Sequence, residues 1–235
     1  DAAFRADFWH GLLLTLWTSA ASTFLVAALA LPCAILLRQS FLGKRLAMFL
    51  FQINLPMPHL VVAIGMLFMV SQSGLLARAA AQLELIHSPG DFPVLVRDTN
   101  GIAIIFAYVW KELPFVGIVV LANLHAVGTT FEDVAQNLGA TRWQRFRYVV
   151  LPLVLPGLLS ASIIVFAFAF GTYEIPQLLG VRFPRMLPVM ALDFFLAPDL
   201  NLRPLGMALT MIIAVLSFGS VVFYLRITKP TFHMT

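Results

Sequence analysis

A chain of 235 residues that is 60% hydrophobic and 11% charged, with a mean hydropathy of +0.92, lacks the polar surface of a water-soluble domain. Its net charge of +4 and pI near 9.6 come from dispersed Lys and Arg rather than a basic tract, so they point to membrane anchoring and not to nucleic acid. The single cysteine, Cys33, sits in an apolar run and offers neither a disulfide nor a thiolate metal site.

A membrane crossing takes about 20 apolar residues, and five stretches qualify: roughly Gly11–Leu37, Leu46–Val70, Gly101–Leu121, Val149–Phe170 and Leu205–Leu225. The expected fold is therefore an all-α membrane protein, one bundle of about five transmembrane helices over residues 1–235. The first stretch is too long for a signal-peptide core and no small-residue cleavage pattern follows it. The second contains Asn54, Pro56, Pro58 and His59, which mark a break whose freed carbonyls need partners. An interhelical hydrogen bond is the expected role of His59. The connection Ser71–Asn100 carries turn residues and an Ala-rich run, Leu75–Leu85, expected as a short interfacial helix.

The third stretch holds Lys111 and Glu112. Lys111 lies about 15 Å along a helix, near the middle of a hydrocarbon core about 30 Å thick. As sequence neighbours the two leave a helix about 100° apart and do not pair well with each other. Pro114 follows and is expected to kink the helix. Two roles stay open for this run: lining a translocation pathway or its gate, or forming an ion pair that holds the bundle together. Further on, Gly171–Arg203 is ordered and partly apolar, expected on the outer membrane surface. Tyr173 and Glu174 there are candidates for an outer gate or for interfacial anchors, while Phe166, Phe168 and Phe170 are read as packing.

Between the third and fourth stretches lies a polar loop, residues 129–148. Thr129-x-x-Glu132 reads as a capping box starting a helix near Thr130, with Phe131, Ala135 and Leu138 on one face. Gly139 ends that helix, and Thr141-x-x-Gln144 reads as a second capping box opening a helix with Trp143, Phe146 and Val150. Two short helices meeting at a glycine elbow make a docking element.

Orientation follows from the distribution of Lys and Arg. One set of loops holds Arg38, Lys44, Arg45, Arg142, Arg145, Arg147, Arg226 and Lys229, eight positive charges against Glu132 and Asp133. The other set holds six positive charges against eight negative ones. The first set, which includes the polar loop and the C-terminus, is expected in the cytoplasm. That places the N-terminus outside, and since the chain begins with Asp1, further residues are expected ahead of it.

The loop also carries a resemblance. Asp133-Val134-Ala135, three residues, Gly139, nine residues, Val149, one residue, Leu151-Pro152 resembles the EAA loop of bacterial ABC importer permeases, with Asp for Glu, Val for the first Ala and Val for Ile. The resemblance implies an inner-membrane permease subunit, not itself an enzyme. Its coupling helix would dock on a separate ATPase through Glu132, Asp133, Ala135, Leu138, Gly139, Ala140, Thr141 and Arg142. It also implies two ATPase subunits carrying ATP and Mg, a second permease subunit, and an external solute-binding protein, with no cofactor on this chain. Such permeases commonly have one more N-terminal span, although five spans form the family core. The runs Trp110–Phe115, Phe168–Gly180 and Leu187–Val189 resemble the spermidine/putrescine-type branch, which also handles phosphonates, iron and thiamine. A polyamine-like or other small polar solute is the expected cargo.

Other classes fit less of the chain. No G-x-x-x-x-G-K-[ST] run is present, and no G-x-S-x-G or His-Glu-x-x-His motif argues for hydrolysis. The five histidines, at 10, 59, 87, 125 and 233, are too scattered for a metal cluster. A secondary transporter or channel using Lys111 and Glu112 is the alternative, though no internal symmetry of the kind such proteins show is visible. An intramembrane enzyme would need a nucleophile or metal set that the sequence does not display.

Overall fold

The computed structural model describes the backbone of residues 2–228, and among these there are helices and turns but no strand. Asp1, Lys229 and His233 lie outside the described residues, as does the side chain of Arg5. Five helical stretches are long and apolar enough to cross a membrane: Ala6–Arg38, His59–Gln82, Ile102–Val127, Arg142–Gly171 and Leu200–Phe223.

Helix α1 (Ala2–Arg38) is longer than expected, extending through the charged start of the chain. Its buried stripe changes character along its length. Thr15, Thr18, Ser19 and Ser22 occupy it first, then Val26, Ala30 and Ala34. The Thr15 and Thr18 hydroxyls donate to the carbonyls of Gly11 and Leu14, at 2.6 and 2.9 Å, so they bring no unpaired donor into the apolar core. Small residues at these positions let neighbouring backbones approach closely.

The expected second span, residues 46–70, is not one helix. Helix α2 (Lys44–Gln52) stops, residues 53–58 turn, and α3 (His59–Val70) restarts with Pro58 as its N-cap. Pro56 and Pro58 remove two N–H donors within three residues, which no continuous helix tolerates. The apolar stretch of crossing length therefore runs through α3, a bend at 71–74 and α4 (Leu75–Gln82).

Helix α5 (Ile102–Val127) is the hub, with over half of its apolar window buried against other helices. It packs on α1 and on α8 (Leu151–Gly171), which also pack on each other. Val26, Ala30 and Ala34 meet Val116, Val120 and Leu124, and Val154, Leu158 and Val165 close this three-helix core. Helix α11 (Arg203–Thr228) packs on α8 and on α10 (Leu187–Leu196). Only 11% of its window is buried, leaving Met211, Val215 and Phe218 facing outward as lipid-facing or partner-facing surface.

The connection between α8 and α11 does not rest on the surface as expected. Helix α9 (Glu174–Leu179) packs on α3 and α5, burying Ile175 and Leu179 with Val62, Ala103 and Tyr108. Helix α10 buries Leu187 and Met190 with Phe170, Leu209 and Ile213. These short apolar helices fill space between the spans, because their side chains have more to gain from helix contact than from the interface.

Candidate functional site

The polar loop folds as α6 (Thr130–Asn137) and α7 (Arg142–Arg145), joined at Gly139. Thr129 does not form the expected capping box: its backbone is helical and its side chain caps nothing. Glu132 turns away instead and pairs with Arg38 at the end of α1, 2.5 Å from its guanidinium. The same guanidinium donates to the Gly128 carbonyl at 2.6 Å. One arginine thus ties the start of the loop to the first span.

The end of α6 follows the glycine logic. Gly139 sits at φ +85°, its N–H donates to the Gln136 carbonyl, and the Ala140 N–H reaches the Ala135 carbonyl, at 2.9 and 3.0 Å. This paired arrangement satisfies two of the orphan carbonyls at the end of a helix. The second capping box is present in full: Gln144 N–H donates to Thr141 Oγ1 at 3.3 Å, and Thr141 N–H to Gln144 Oε1 at 2.8 Å. The Arg145 guanidinium bonds the Gln136 side chain, bracing the two arms.

The second arm is not a separate short helix. α7 continues through a π-helical turn, Phe146–Val150, into α8, so Arg142–Gly171 is one rod. The Leu151 N–H reaches back to the Phe146 carbonyl. A widened turn here relieves the clash that the ring of Pro152 would make with the carbonyl of Tyr148 in a regular helix.

The loop presents apolar side chains to water. Phe131, Val134, Leu138 and Trp143 are all more than half exposed, Leu138 the most at 83%. Ala135, expected on this face with Phe131 and Leu138, is half-buried, and Val134 takes its place. Asp133, Thr141 and Arg142 are exposed beside the apolar set, while Ala140 is half-buried. Burying each large side chain against a partner is worth about 1.5–3 kcal/mol, so this patch has far more to gain from contact than from water.

The second group of candidates lies where α5 meets the break before α3. Lys111 is buried and donates to the carbonyls of Asn54 and Leu55, both at 2.8 Å. The Asn54 side chain donates in return to the Trp110 carbonyl. Trp110 lies four residues before Pro114, whose missing N–H leaves that carbonyl without a helical partner. Each proline break is thus repaired by a side chain from the opposite element. Sequence spacing marks the orphan at Trp110, but not that Asn54 is its partner.

Glu112 leaves on another side and pairs with His59, Nε2 to Oε1 3.1 Å. The His59 ring packs on Phe168, with centroids 4.6 Å apart. Tyr108, fully buried, donates to the Ala169 carbonyl at 3.2 Å. Tyr173 is half exposed just before α9, and Glu174 is its first residue. The structure so brings Lys111, Glu112 and Pro114 together with Asn54 and His59, while Glu174 opens α9 just before Ile175, which packs in the same core as Tyr108. Trp110 and Met66 also border an apolar groove of about 350 Å³ along α3. Among the described residues no three His, Cys, Asp or Glu side chains gather as a metal site.

Comparison with known proteins matches residues 25–227 to the family described as binding-protein-dependent transport system inner membrane component. The chain is 32% identical over 195 residues to the inner membrane ABC transporter permease protein YdcU of Escherichia coli K12, covering 76% of this chain and 60% of that protein. It is 32% identical to the molybdenum transport system permease protein ModB of Mycobacterium tuberculosis over 69% of this chain and 58% of that one. It is 28% identical to the spermidine/putrescine transport system permease protein PotB of Haemophilus influenzae, over 49% of this chain and 39% of that one. The chain thus spans about three fifths of the length of the first two. In fold, it is similar to a chain in the crystal structure of a bacterial alginate ABC transporter with its alginate-bound periplasmic protein. The TM-score is 0.80 at 18% identity, over 97% of this chain and 80% of that one.

Proposed function

This chain belongs to the family of binding-protein-dependent transport system inner membrane components, and from that membership we propose that it is the permease subunit of an ATP-driven importer. The observation that carries the reading is the exposed apolar set Phe131, Val134, Leu138 and Trp143, held on a loop braced at its Gly139 elbow and its Thr141 capping box and tied by Arg38 to the first span. The partner that covers it is a separate ATPase, one copy beneath each of two permease subunits, and ATP and Mg reside there. Asp133, Leu138, Gly139, Thr141 and Arg142 meet the ATPase directly. Glu132 acts from behind by fixing the loop through Arg38, and Ala135 and Ala140 pack the elbow.

The loop and the C-terminus face the cytoplasm, in keeping with the eight positive charges on that side. An external solute-binding protein delivers a small polar solute to the opposite end. ATPase closure moves the α6 elbow, and the α7–α8 rod carries that motion into the fourth span. The pathway passes the face where Glu112, His59 and Phe168 meet, Tyr173 and Glu174 at the start of α9 gate its outer end, and Lys111 and Pro114 shape the turn beside it. PotB and ModB are named for polyamine and molybdenum transport respectively, so the relatives support a small charged solute without choosing its sign.

Replacing Gly139 tests the elbow. Nothing lies within 4 Å of a side chain there, so the penalty is conformational: a β-branched residue at φ +85° is strained whatever the space. Gly139→Val is expected to insert and fold normally but to uncouple ATP hydrolysis from uptake, read in proteoliposomes as ATPase activity without solute accumulation. Normal coupled uptake by this variant, or uptake with no ATPase present at all, overturns the reading.

A further inference from the structure

The end of the bundle opposite the coupling loop carries more acidic than basic residues, yet three of its arginines converge on one cleft. Arg97, Arg182 and Arg185 line a polar hollow of about 370 Å³ between the end of α9 and the start of α10, with Gln177, Phe183 and Asp193. Only Arg185 is neutralised, by Asp193 at 2.7 Å. Among the described residues no carboxylate pairs with Arg97 or Arg182.

The backbone is tied on two sides of the cleft. Arg97 sits at φ +60°, a conformation that L residues rarely hold, and its N–H donates to the Leu179 carbonyl at 2.8 Å. Two residues beyond Arg185, the Leu187 N–H donates to Thr15 Oγ1 at 3.0 Å, anchoring that segment on α1. Phe183 stands between them, 60% exposed. An exposed aromatic ring beside unpaired guanidinium groups has the composition of a protein-contact centre, where Arg and aromatic residues are enriched. Guanidinium forks match carboxylates in two-bond geometry.

We propose that this cleft is a docking point for the acidic face of an external protein, with Arg97 and Arg182 taking its carboxylates and Phe183 packing between them. Resting on the reading above, that protein is the solute-binding protein. Asp193 holds Arg185 as a competitor carboxylate and sets how acidic the incoming face must be. The polarity of the contact follows: the permease contributes the positive side within an otherwise acidic surface, so docking is steered to one spot and weakened by salt.

The test uses the full chain in nanodiscs of phosphatidylcholine alone and a fluorescent hexaglutamate peptide as probe, at about 50 mM salt. The wild-type chain is expected to bind the peptide, and Arg97→Gln/Arg182→Gln to weaken binding by about tenfold. Arg78→Gln, at the same end but outside the cleft, is expected to leave binding unchanged. If the double variant is misfolded by its thermal midpoint, Arg182→Gln alone, on an exposed turn, is expected to weaken binding by about threefold. No binding by the wild type, or equal binding by the cleft variants, overturns the proposal. So does displacement of the peptide by inorganic sulfate at equal concentration, which makes the cleft a small-anion site. These outcomes are independent of the ATPase: a coupled importer whose cleft ignores the peptide loses only this proposal, and a chain that binds the peptide but takes up solute with no ATPase present loses only the permease reading.

Discussion

An ammonium group in mid-membrane costs about 2.5–3.5 kcal/mol on insertion scales, and Lys111 meets that cost with two carbonyls rather than a carboxylate. Those carbonyls lack a regular helical donor because Pro56 and Pro58 interrupt the helix around them, and only Asn54 has a backbone donor, the Met57 N–H. Lys111→Met removes the donor and leaves the Leu55 carbonyl unsatisfied in a buried place, while the Asn54 carbonyl keeps only the Met57 N–H at 3.1 Å. The expected loss is about 1–3 kcal/mol, measured by chemical denaturation in detergent micelles. An unchanged midpoint would mean that water already reaches the turn. The position of Lys111 in the third span was legible from its sequence number alone. Its partner was not, since nothing local distinguishes a lysine that meets a carboxylate from one that meets a broken helix.

At the scale of elements, the two proline breaks are joined by one exchange. Asn54 from the turn before α3 serves Trp110, and Lys111 from α5 serves the turn. Pro114→Ala supplies a new N–H at the position that Trp110 lacks, so the Asn54 side chain loses its purpose there. In a double-mutant cycle, Asn54→Ala is expected to cost about 1 kcal/mol or more in the native background and close to nothing in the Pro114→Ala background. Equal costs in both would show that the two breaks are independent. Breaks and caps were readable because proline, glycine and Thr-x-x-Gln act locally. The failed capping box at Thr129 shows the limit. Glu132 had the right spacing, but Arg38, far away in sequence, offered a charged partner that outweighed a single N–H. The π turn that fuses α7 to α8 was likewise hidden, since it depends on how Pro152 seats in a helix that continues past it.

The whole molecule is organised by two ends. Arg38, Gly128 and Glu132 meet at one, and Trp17 donates to the Asn100 carbonyl while Arg97 bonds Leu179 toward the other. In a Cys33→Ser background, a membrane-impermeant maleimide is expected to label Arg182→Cys in intact cells but Gln144→Cys only after permeabilisation. The reverse pattern would invert the orientation argued from charge. Four of the five crossings were legible because apolar length is a strong signal; the second was not, since length alone does not show that Pro56 and Pro58 split the stretch and move the crossing later. The inward packing of residues 171–203 was not, because α9 and α10 are too short to cross and their apolar faces could equally have met lipid headgroups.

Helix α1 connects these ends without leaving the bundle. Arg38 grips the loop at one terminus, and near the other a side chain at Gly11 would collide with the Arg185 carbonyl, so α1 there lies directly against the backbone of the arginine cleft. The 27 residues between these two points span about 40 Å of continuous helix. A rod of that length, interrupted only by Pro32, puts both contacts on one element, so a displacement at either end loads the same helix. The loop and the arginine cleft thus share one structural part, as the bit and the bow share one key.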